Sequence, residues 1–130
     1  MKKKVLVVDD ELDIRTFIGT LLETNGYKAI LANDGETGYC LAKEKCPDLV
    51  VLDVMMPKES GIKMYRQLRT DPTLGKIPVI MVSGIAKKTF LHSQSVLNDY
   101  TGQVVPEPDA YIEKPPEAEE LLAHISALIK

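Results

Sequence analysis

The chain has 130 residues and a net charge of −3, with 45 % hydrophobic and 27 % charged residues, a composition typical of one soluble globular domain. Its acids and bases are interspersed, which excludes the basic stripe of a nucleic-acid-binding protein, and no apolar run approaches the roughly 20 residues needed to cross a bilayer. A second folded domain has no room. We therefore expect a cytoplasmic protein that contacts neither nucleic acid nor membrane directly.

Short β-branched runs alternate with longer stretches of helical periodicity, a pattern that predicts βαβ units and a parallel sheet. The predicted elements, in chain order, are a strand at 5–8, a helix around 14–22, a strand at 27–31, a helix at 36–45, a strand at 49–52, a helix at 62–69, a strand at 79–82, a helix at 87–100, a strand at 110–112 and a last helix after Pro116. The third and fourth strands are apolar on both faces, so we expect them at the centre of the sheet.

The first helix has the clearest periodicity. Its apolar stripe consists of Ile14, Phe17, Ile18, Leu21 and Leu22. Gly26 follows where a left-handed cap is expected, and Pro116 suits the first turn of the last helix. Five βα units are too few for a closed barrel, so we predict an open, doubly wound α/β sheet whose ligands bind beyond the carboxyl ends of the strands.

The two cysteines, Cys40 and Cys46, lie six residues apart in a predicted helix. This spacing turns them away from each other, so it suits neither a disulfide nor a metal pair. We interpret them as small apolar fillers in a reducing compartment.

Polar residues follow the strands of the predicted sheet. The run VLVVDDE leads four apolar residues into three acids, so Asp9 and Asp10 follow the first strand, while Asp53 follows the third, Ser83 the fourth and Lys114 the fifth. Because the carboxyl ends of parallel strands share one edge, we expect these side chains to converge. Two carboxylates about 4 Å apart repel by roughly 4 kcal/mol near a protein surface, so the acids are either solvated or hold a cation.

The residue types at this edge suit Mg²⁺ together with a phosphoryl group. One or two carboxylates, with water and a phosphate oxygen, are the usual ligands of Mg²⁺, and the lack of His or Cys beside them argues against zinc. A lysine adds like charge to a cation site unless a phosphoryl group brings negative charge for it to share. A carboxylate can itself be the nucleophile and form an aspartyl phosphate.

Four motifs, in order VLVVDDE, VVLDVMMPKESG, VIMVSG and YIEKPP, resemble the receiver domain of bacterial two-component response regulators. The resemblance spans nearly the whole chain, so we expect a single receiver domain at 1–130. It implies a flavodoxin-like (βα)5 three-layer sandwich with parallel strand order 2-1-3-4-5. It also implies a signalling domain that changes a protein-interaction face, and not a turnover enzyme.

The resemblance implies a role for each residue at the edge. Asp53 would accept a phosphoryl group from a sensor histidine kinase or a histidine phosphotransfer protein. Asp10 would coordinate Mg²⁺ directly and Asp9 would assist through water, while the backbone carbonyl of Met55 would complete the protein's share of the ligands.

The remaining implied roles concern the switch. Lys114 would pair with Asp53 at rest and with the phosphoryl oxygens afterwards. Ser83 would hydrogen-bond the phosphate, supported by backbone N–H groups around Gly84, and Tyr111 would turn inward behind it. A side chain at Gly84 would crowd the phosphoryl pocket.

Two backbone features are also expected from the sequence. The resemblance implies a cis peptide between Lys114 and Pro115, since X-Pro bonds alone tolerate cis readily. Gly61, in the PKESG loop, is expected to adopt a positive φ.

The chain departs from the family between Ser83 and Lys114, where the spacing is longer than in most receivers. The extended region covers about 93–109, and Pro106 and Pro108 in it favour an extended approach to the last strand. We predict a rigid loop or a lengthened helix plus loop. Receivers commonly bind downstream partners through their fourth helix, fifth strand and fifth helix, so the insertion either alters that output face or is a tolerated surface insertion.

Met55 and Ala86 occupy positions that in relatives can influence the attacking water, and neither has a polar side chain. This predicts slow loss of the phosphoryl group.

Two other function classes are alternatives to a receiver. A haloacid-dehalogenase-type phosphatase or phosphotransferase also uses an aspartyl phosphate, but usually has a second acid where this chain has Met55. A flavodoxin-like FMN carrier would bring its phosphate against DDE, where a hydroxyl- or glycine-rich cradle is needed.

Overall fold

The computed structural model describes residues 2–129, apart from the side chain of Glu59, so the two ends of the predicted 1–130 domain lie outside the described residues. Its strands are β1 Lys4–Val8, β2 Lys28–Ala32, β3 Leu49–Leu52, β4 Val79–Ser83 and β5 Ala110–Glu113. Its helices are α1 Leu12–Thr24, α2 Gly35–Lys45, α3 Ser60–Thr70, α4 Lys87–Thr101 and α5 Ala118–Leu128, with a 3-10 turn at Pro57–Glu59. All strand pairs are parallel, in the order β2-β1-β3-β4-β5, which confirms the predicted fold class and strand order.

Apolar side chains pack on both faces of the sheet because alternate residues of each strand point to opposite sides. One core joins strand residues to α2, α3 and α4, with Ala42, Met64, Leu68 and Phe90 among its helical members. The other joins the remaining strand residues to α1 and α5 through Ile18, Leu22, Leu121 and Ile125. The strands β3 and β4 are buried along their whole length, as their continuous apolar runs predict. Among residues 2–129, no helix combines the length and apolarity needed to span a membrane.

The segment after β3 folds differently from the prediction for Gly61. The positive φ in this loop belongs to Lys58, at 60°, whereas Gly61 lies within α3 and has no positive φ. Gly61 is required for close packing instead, because a Cβ there would lie 2.1 Å from the backbone oxygen of Asp53. The glycine therefore lets the start of α3 rest directly on the end of β3.

The start of the last helix was also predicted wrongly. Pro116 does not lie in its first turn, because α5 begins at Ala118 with Glu117 as its N-cap residue. Pro116 is buried two residues before that helix. Its fixed φ therefore shapes the approach from β5 and not the helix itself.

Both cysteines are exposed, so their interpretation as buried fillers is wrong. The buried residues of α2 are Gly35, Gly38 and Ala42, and the two glycines let the helix lie close to α3 and to Val8 of β1. Cys40 lies off this face, and Cys46 caps the helix with a left-handed φ of 46°. Both are free thiols.

The segment before β5 is anchored by side chains of α3 and α4. The helix α4 ends at Gly102, which has a φ of 71°, and a loop at 102–109 leads to β5. The side chain of Gln94 donates to the Pro106 carbonyl at 3.0 Å, and the hydroxyl of Tyr65 donates to the same oxygen at 2.6 Å. Val105 is buried between these contacts. The loop is thus fixed to both neighbouring helices.

A buried arginine ties α3 to the beginnings of the last two strands. The guanidinium of Arg69 donates to the Ile77 carbonyl at 2.7 Å and to the Asp109 carboxylate at 2.7 Å, and its side chain is 7 % exposed. Asp109 also accepts the backbone N–H of Val79 at 2.8 Å. Burial alone would lower the pKa of Arg69, but its contacts with Tyr65 and Asp109 raise it, so the arginine stays charged.

We predict that Arg69→Met lowers the free energy of unfolding by about 2 kcal/mol, because the partly buried Ile77 carbonyl and the Asp109 carboxylate lose their charged donor. The expected loss of stability is smaller than the loss on breaking a fully buried ion pair, because the Asp109 side chain is 37 % exposed. Urea unfolding of Arg69→Met beside the exposed-charge control Lys76→Met tests it. Equal midpoints for the two variants would contradict the prediction.

Candidate functional site

Three aspartates meet at the carboxyl edge of the sheet. Asp9 and Asp10 follow β1, and Asp53 follows the neighbouring strand β3, where Val8 and Leu52 are paired. One carboxylate oxygen from each aspartate lies within 4.8 Å of the others. Asp9 and Asp53 are each 1 % exposed, and Asp10 is exposed. The cluster therefore has two buried members and one that faces solvent.

Each buried aspartate is held by the backbone two residues further along the chain. The Oδ1 of Asp53 accepts the N–H of Met55 at 2.9 Å, and the Oδ1 of Asp9 accepts the N–H of Glu11 at 2.8 Å. The guanidinium of Arg15 donates to the carbonyl of Asp9 at 2.8 Å and fixes the turn after β1. In each aspartate the second oxygen, Oδ2, lies 3.1 Å from the same ammonium group.

That ammonium belongs to Lys114, which follows β5. Its backbone N–H donates to the Ser83 carbonyl at 2.8 Å, extending the strand pairing by one residue. Its Nζ donates to Asp53 Oδ2 at 3.1 Å and to Glu11 Oε1 at 2.6 Å. Burial would lower the pKa of Lys114, but the hydrogen bonds to Glu11 and Asp53 outweigh it and raise the pKa. Lys114 is therefore charged at physiological pH. The peptide between Lys114 and Pro115 is cis, as expected.

The environment of Asp9 fits a bound cation. Burial raises the pKa of Asp9, and the nearby charge of Asp53 adds to this effect, although the Glu11 N–H and Lys114 oppose it. The Oδ2 of Asp9 is buried and accepts no aligned hydrogen bond from a described residue, even though Lys114 lies 3.1 Å away. A carboxylate oxygen with unused acceptor capacity, beside two further acids, is a suitable ligand for a hard cation such as Mg²⁺.

The two hydroxyl residues of the site come from the last two strands, next to Lys114 in the sheet. Ser83 is the last residue of β4 and is fully buried, and its Oγ accepts the N–H of Ile85 at 3.4 Å. The hydroxyl of Tyr111 donates to the Ile85 carbonyl at 2.7 Å, and its ring lies 5.4 Å from that of Phe90. Burial raises the pKa of Tyr111. The loop after β4 is thus held at both Ser83 and Tyr111.

The structure brings together the four predicted charged residues, Asp9, Asp10, Asp53 and Lys114. Ser83 lies next to Lys114, because the Lys114 N–H donates a hydrogen bond to the Ser83 carbonyl. Met55 contributes its N–H to Asp53, and the role of its carbonyl stays a prediction. A Cβ at Gly84 would meet no described atom within 4 Å, so the crowding expected there concerns a bound phosphoryl group and stays a prediction. The role of its N–H also stays a prediction.

Sequence reasoning missed Glu11 and Arg15. Glu11 is the third acid of the DDE run, but nothing in that run predicts that its carboxylate contacts a lysine 103 residues away. Arg15 lies one helical turn after Glu11, and its contact with the Asp9 carbonyl depends on the exact turn between β1 and α1. The acidic run itself was the one available signal for Glu11.

A cavity of about 390 Å³ lies beside the exposed member of the cluster. Asp10 lines it together with residues of α2 and α3, including Tyr39 and Lys63. Asp10 can therefore be reached from the α2–α3 side, while Asp53 is not part of the cavity lining.

Comparison with known proteins identifies the family. The model of the response regulator receiver domain matches residues 5–126. The chain belongs to this family. The family assignment, together with the fold, supports a phosphoacceptor function and does not support the haloacid-dehalogenase-type alternative. A receiver is a signalling domain, and its phosphoacceptor chemistry fits a site that joins acids, a lysine and a hydroxyl.

Curated relatives resemble the chain over nearly its whole length. The alkaline phosphatase synthesis transcriptional regulatory protein PhoP of Bacillus subtilis is 37 % identical over all of this chain and 50 % of its own. The phosphate regulon transcriptional regulatory protein PhoB of Pseudomonas aeruginosa is 34 % identical over 98 % of this chain and 52 % of its own. The chain thus spans about half the length of these relatives.

Solved structures agree with the fold. The receiver domain of the Francisella response regulator 1452 matches with a TM-score of 0.79 and 30 % identity, covering 98 % of this chain and 96 % of that one. The chemotaxis response regulator CheY4 of Vibrio cholerae matches with a TM-score of 0.82 and 22 % identity, covering 99 % of this chain and all of that one. The second likeness supports the fold alone.

We predict that Asp9→Asn stabilises the metal-free protein at pH 7 by about 1 kcal/mol, because the substitution removes a buried negative charge that is unfavourable in the folded state. The pKa of Asp9 is raised in the folded state, so the folded protein binds this proton more tightly than the unfolded chain and ionisation costs stability. The gain should shrink as the pH falls from the raised pKa towards 3.8, because wild type then becomes protonated too.

Thermal unfolding in EDTA between pH 7 and pH 4 measures this difference. The matched control is Asp10→Asn, which removes an exposed acid of the same cluster and should change stability less. A lower stability of Asp9→Asn than of wild type at pH 7 would show that the Lys114 pair outweighs the burial of Asp9.

Proposed function

We propose that this chain accepts a phosphoryl group on Asp53 from a sensor histidine kinase or a histidine phosphotransfer protein, with Mg²⁺ bound at the acidic cluster. The observation that carries the proposal is the buried Asp53 carboxylate, hydrogen-bonded to the Lys114 ammonium at 3.1 Å and clustered with two further aspartates. A solvated acidic surface needs neither the burial nor the lysine. A phosphoryl-transfer site needs both.

The arrangement suits attack by the Asp53 carboxylate. The Met55 N–H and the Lys114 ammonium each hold one of its oxygens, which fixes the orientation of the nucleophile. A carboxylate oxygen of Asp53 would form the new bond to phosphorus as the bond from phosphorus to the donor's imidazole nitrogen breaks. Lys114 would then neutralise part of the phosphoryl charge.

Asp10, Asp9 and the Met55 carbonyl are the residues that we expect to hold Mg²⁺. When bound, the metal would reduce the repulsion between the phosphoryl oxygens and the acidic cluster. The remaining acceptor capacity of Asp9 Oδ2, which accepts no aligned hydrogen bond from a described residue, and the exposure of Asp10 support this assignment.

Phosphorylation would act on the loop after β4. The Ser83 hydroxyl and the Gly84 N–H are the proposed donors to the phosphoryl oxygens, together with Lys114. Each charge-assisted hydrogen bond contributes about 1.5–3 kcal/mol, and inverting a 1:99 equilibrium takes roughly 5.5 kcal/mol, so two or three contacts suffice. Movement of Ser83 would shift the loop that Tyr111 holds through the Ile85 carbonyl. We expect the orientation of Tyr111, and with it the surface formed by α4, β5 and α5, to change as a result.

We infer that this surface binds a downstream protein partner and that the chain works in the cytoplasm as one receiver domain spanning 1–130. The extended region at 93–109 includes the second half of α4 and therefore forms part of that surface. The named relatives are transcriptional regulators about twice as long as this chain. Any contact with DNA would therefore belong to a part of such a protein that this chain does not include.

Asp53→Asn should abolish phosphorylation, because the amide oxygen is too weak a nucleophile to form the aspartyl phosphate. Incubation with acetyl phosphate and Mg²⁺, followed by intact mass spectrometry, measures the added phosphoryl group. The control Asp99→Asn removes an exposed acid of α4 and should be phosphorylated like wild type. Phosphorylation of Asp53→Asn at the wild-type level would refute Asp53 as acceptor.

Met55→Asn should speed the loss of the phosphoryl group several-fold, because a polar amide next to the site can orient the attacking water. Met55 is 59 % exposed, so the substitution should leave the fold intact. The decay of the phosphorylated form, followed by mass spectrometry after removal of the donor, measures the rate. Equal half-lives for wild type and variant would remove Met55 as the cause of a long lifetime.

A further inference from the structure

The contact between Glu11 and Lys114 is the shortest that the lysine makes. Glu11 Oε1 lies 2.6 Å from Lys114 Nζ, compared with 3.1 Å for Asp9 Oδ2 and Asp53 Oδ2. The two residues are 103 positions apart in the sequence. The contact therefore depends on the tertiary fold and does not follow from the local structure of α1.

The side chain of Glu11 does not cap α1, although Glu11 lies at the N-cap position of this helix. It is the N-cap residue, with φ −85° and ψ 116°, and its side chain makes no capping hydrogen bond. Asp34 at the start of α2 shows the usual arrangement, in which the carboxylate accepts the N–H of Thr37 at 2.7 Å. The side chain of Glu11 is turned to Lys114 instead, so helix capping does not explain it.

The three carboxylates around Lys114 differ in what their release would cost. The side chains of Asp9 and Asp53 are 2 % and 1 % exposed, whereas that of Glu11 is 58 % exposed. A buried carboxylate that loses its cation is left without compensation, but an exposed one returns to water. Glu11 is therefore the partner that Lys114 can exchange most readily for a new anion.

We propose that Glu11 is a positioning residue that holds the Lys114 ammonium at the outer side of the acidic cluster and yields it to a phosphoryl oxygen on Asp53. This inference rests on the proposed function, because it needs a phosphoryl group at Asp53. Glu11 stabilises the unphosphorylated state, since its contact with Lys114 is given up on phosphorylation. Loss of that contact shifts the equilibrium towards the phosphorylated form.

The first test measures binding of beryllofluoride, an analogue of the phosphoryl group, at saturating Mg²⁺ by NMR titration. Glu11→Gln should bind it about two- to fivefold more tightly than wild type, the range expected when an exposed ion pair is lost. Glu11→Asp keeps the charge but is one methylene shorter, so it should lose the contact and bind as tightly as Glu11→Gln. The control Asp13→Asn removes an exposed acid of the first turn of α1 and should bind like wild type.

The second test needs no phosphoryl group. In metal-free protein, the ¹⁵N signal of the Lys114 ammonium should show faster proton exchange in Glu11→Gln and Glu11→Asp than in wild type or Asp13→Asn. Unchanged exchange in Glu11→Gln, or wild-type beryllofluoride affinity in either Glu11 variant, would overturn the positioning role. Failure of wild type itself to bind beryllofluoride would instead refute the proposed function, so the two failures are distinguishable.

Discussion

The structure depends on one compensated charge cluster, the Lys114 ammonium between the buried carboxylates of Asp9 and Asp53. Without a cation, two buried acids at the ends of neighbouring strands would repel strongly. The lysine reaches them only if β5 keeps its register with β4, which the hydrogen bond from the Lys114 N–H to the Ser83 carbonyl secures. Strand pairing at one edge of the sheet is thereby coupled to the electrostatics of a site two strands away.

The helix α3 joins this site to the distant approach of β5. Its start rests on the Asp53 carbonyl through Gly61, and its end holds Asp109 through Arg69 at 2.7 Å. Between them, the Tyr65 hydroxyl binds the Pro106 carbonyl at 2.6 Å. The long segment before β5 is thus integrated into the packing of α3, although its prolines and polar residues alone are compatible with a loose surface insertion.

The sequence was sufficient to predict the elements, the strand order and the convergence of Asp9, Asp53 and Lys114, because parallel strands deliver their ends to one edge and the family motifs supplied the order. It was insufficient where a long-range contact decides the outcome. Whether Glu11 faces solvent or a lysine depends on a residue 103 positions away, and the need for glycine at Gly61 comes from a backbone oxygen of another element. Neither contact can be inferred from the sequence pattern around Glu11 or Gly61.

The difference in exposure among the carboxylates gives the site both a fixed and an exchangeable part. The Met55 N–H and Lys114 each hold one oxygen of the buried Asp53 carboxylate, which fixes its orientation as the proposed nucleophile role requires. Burial also raises the pKa of Asp9, so the fixed part is kept at a cost in stability. If Lys114 were bound only by such buried acids, its departure would leave a buried carboxylate without a compensating charge. The exposed carboxylate of Glu11 gives Lys114 one partner that water can replace, which makes a change of partner energetically accessible.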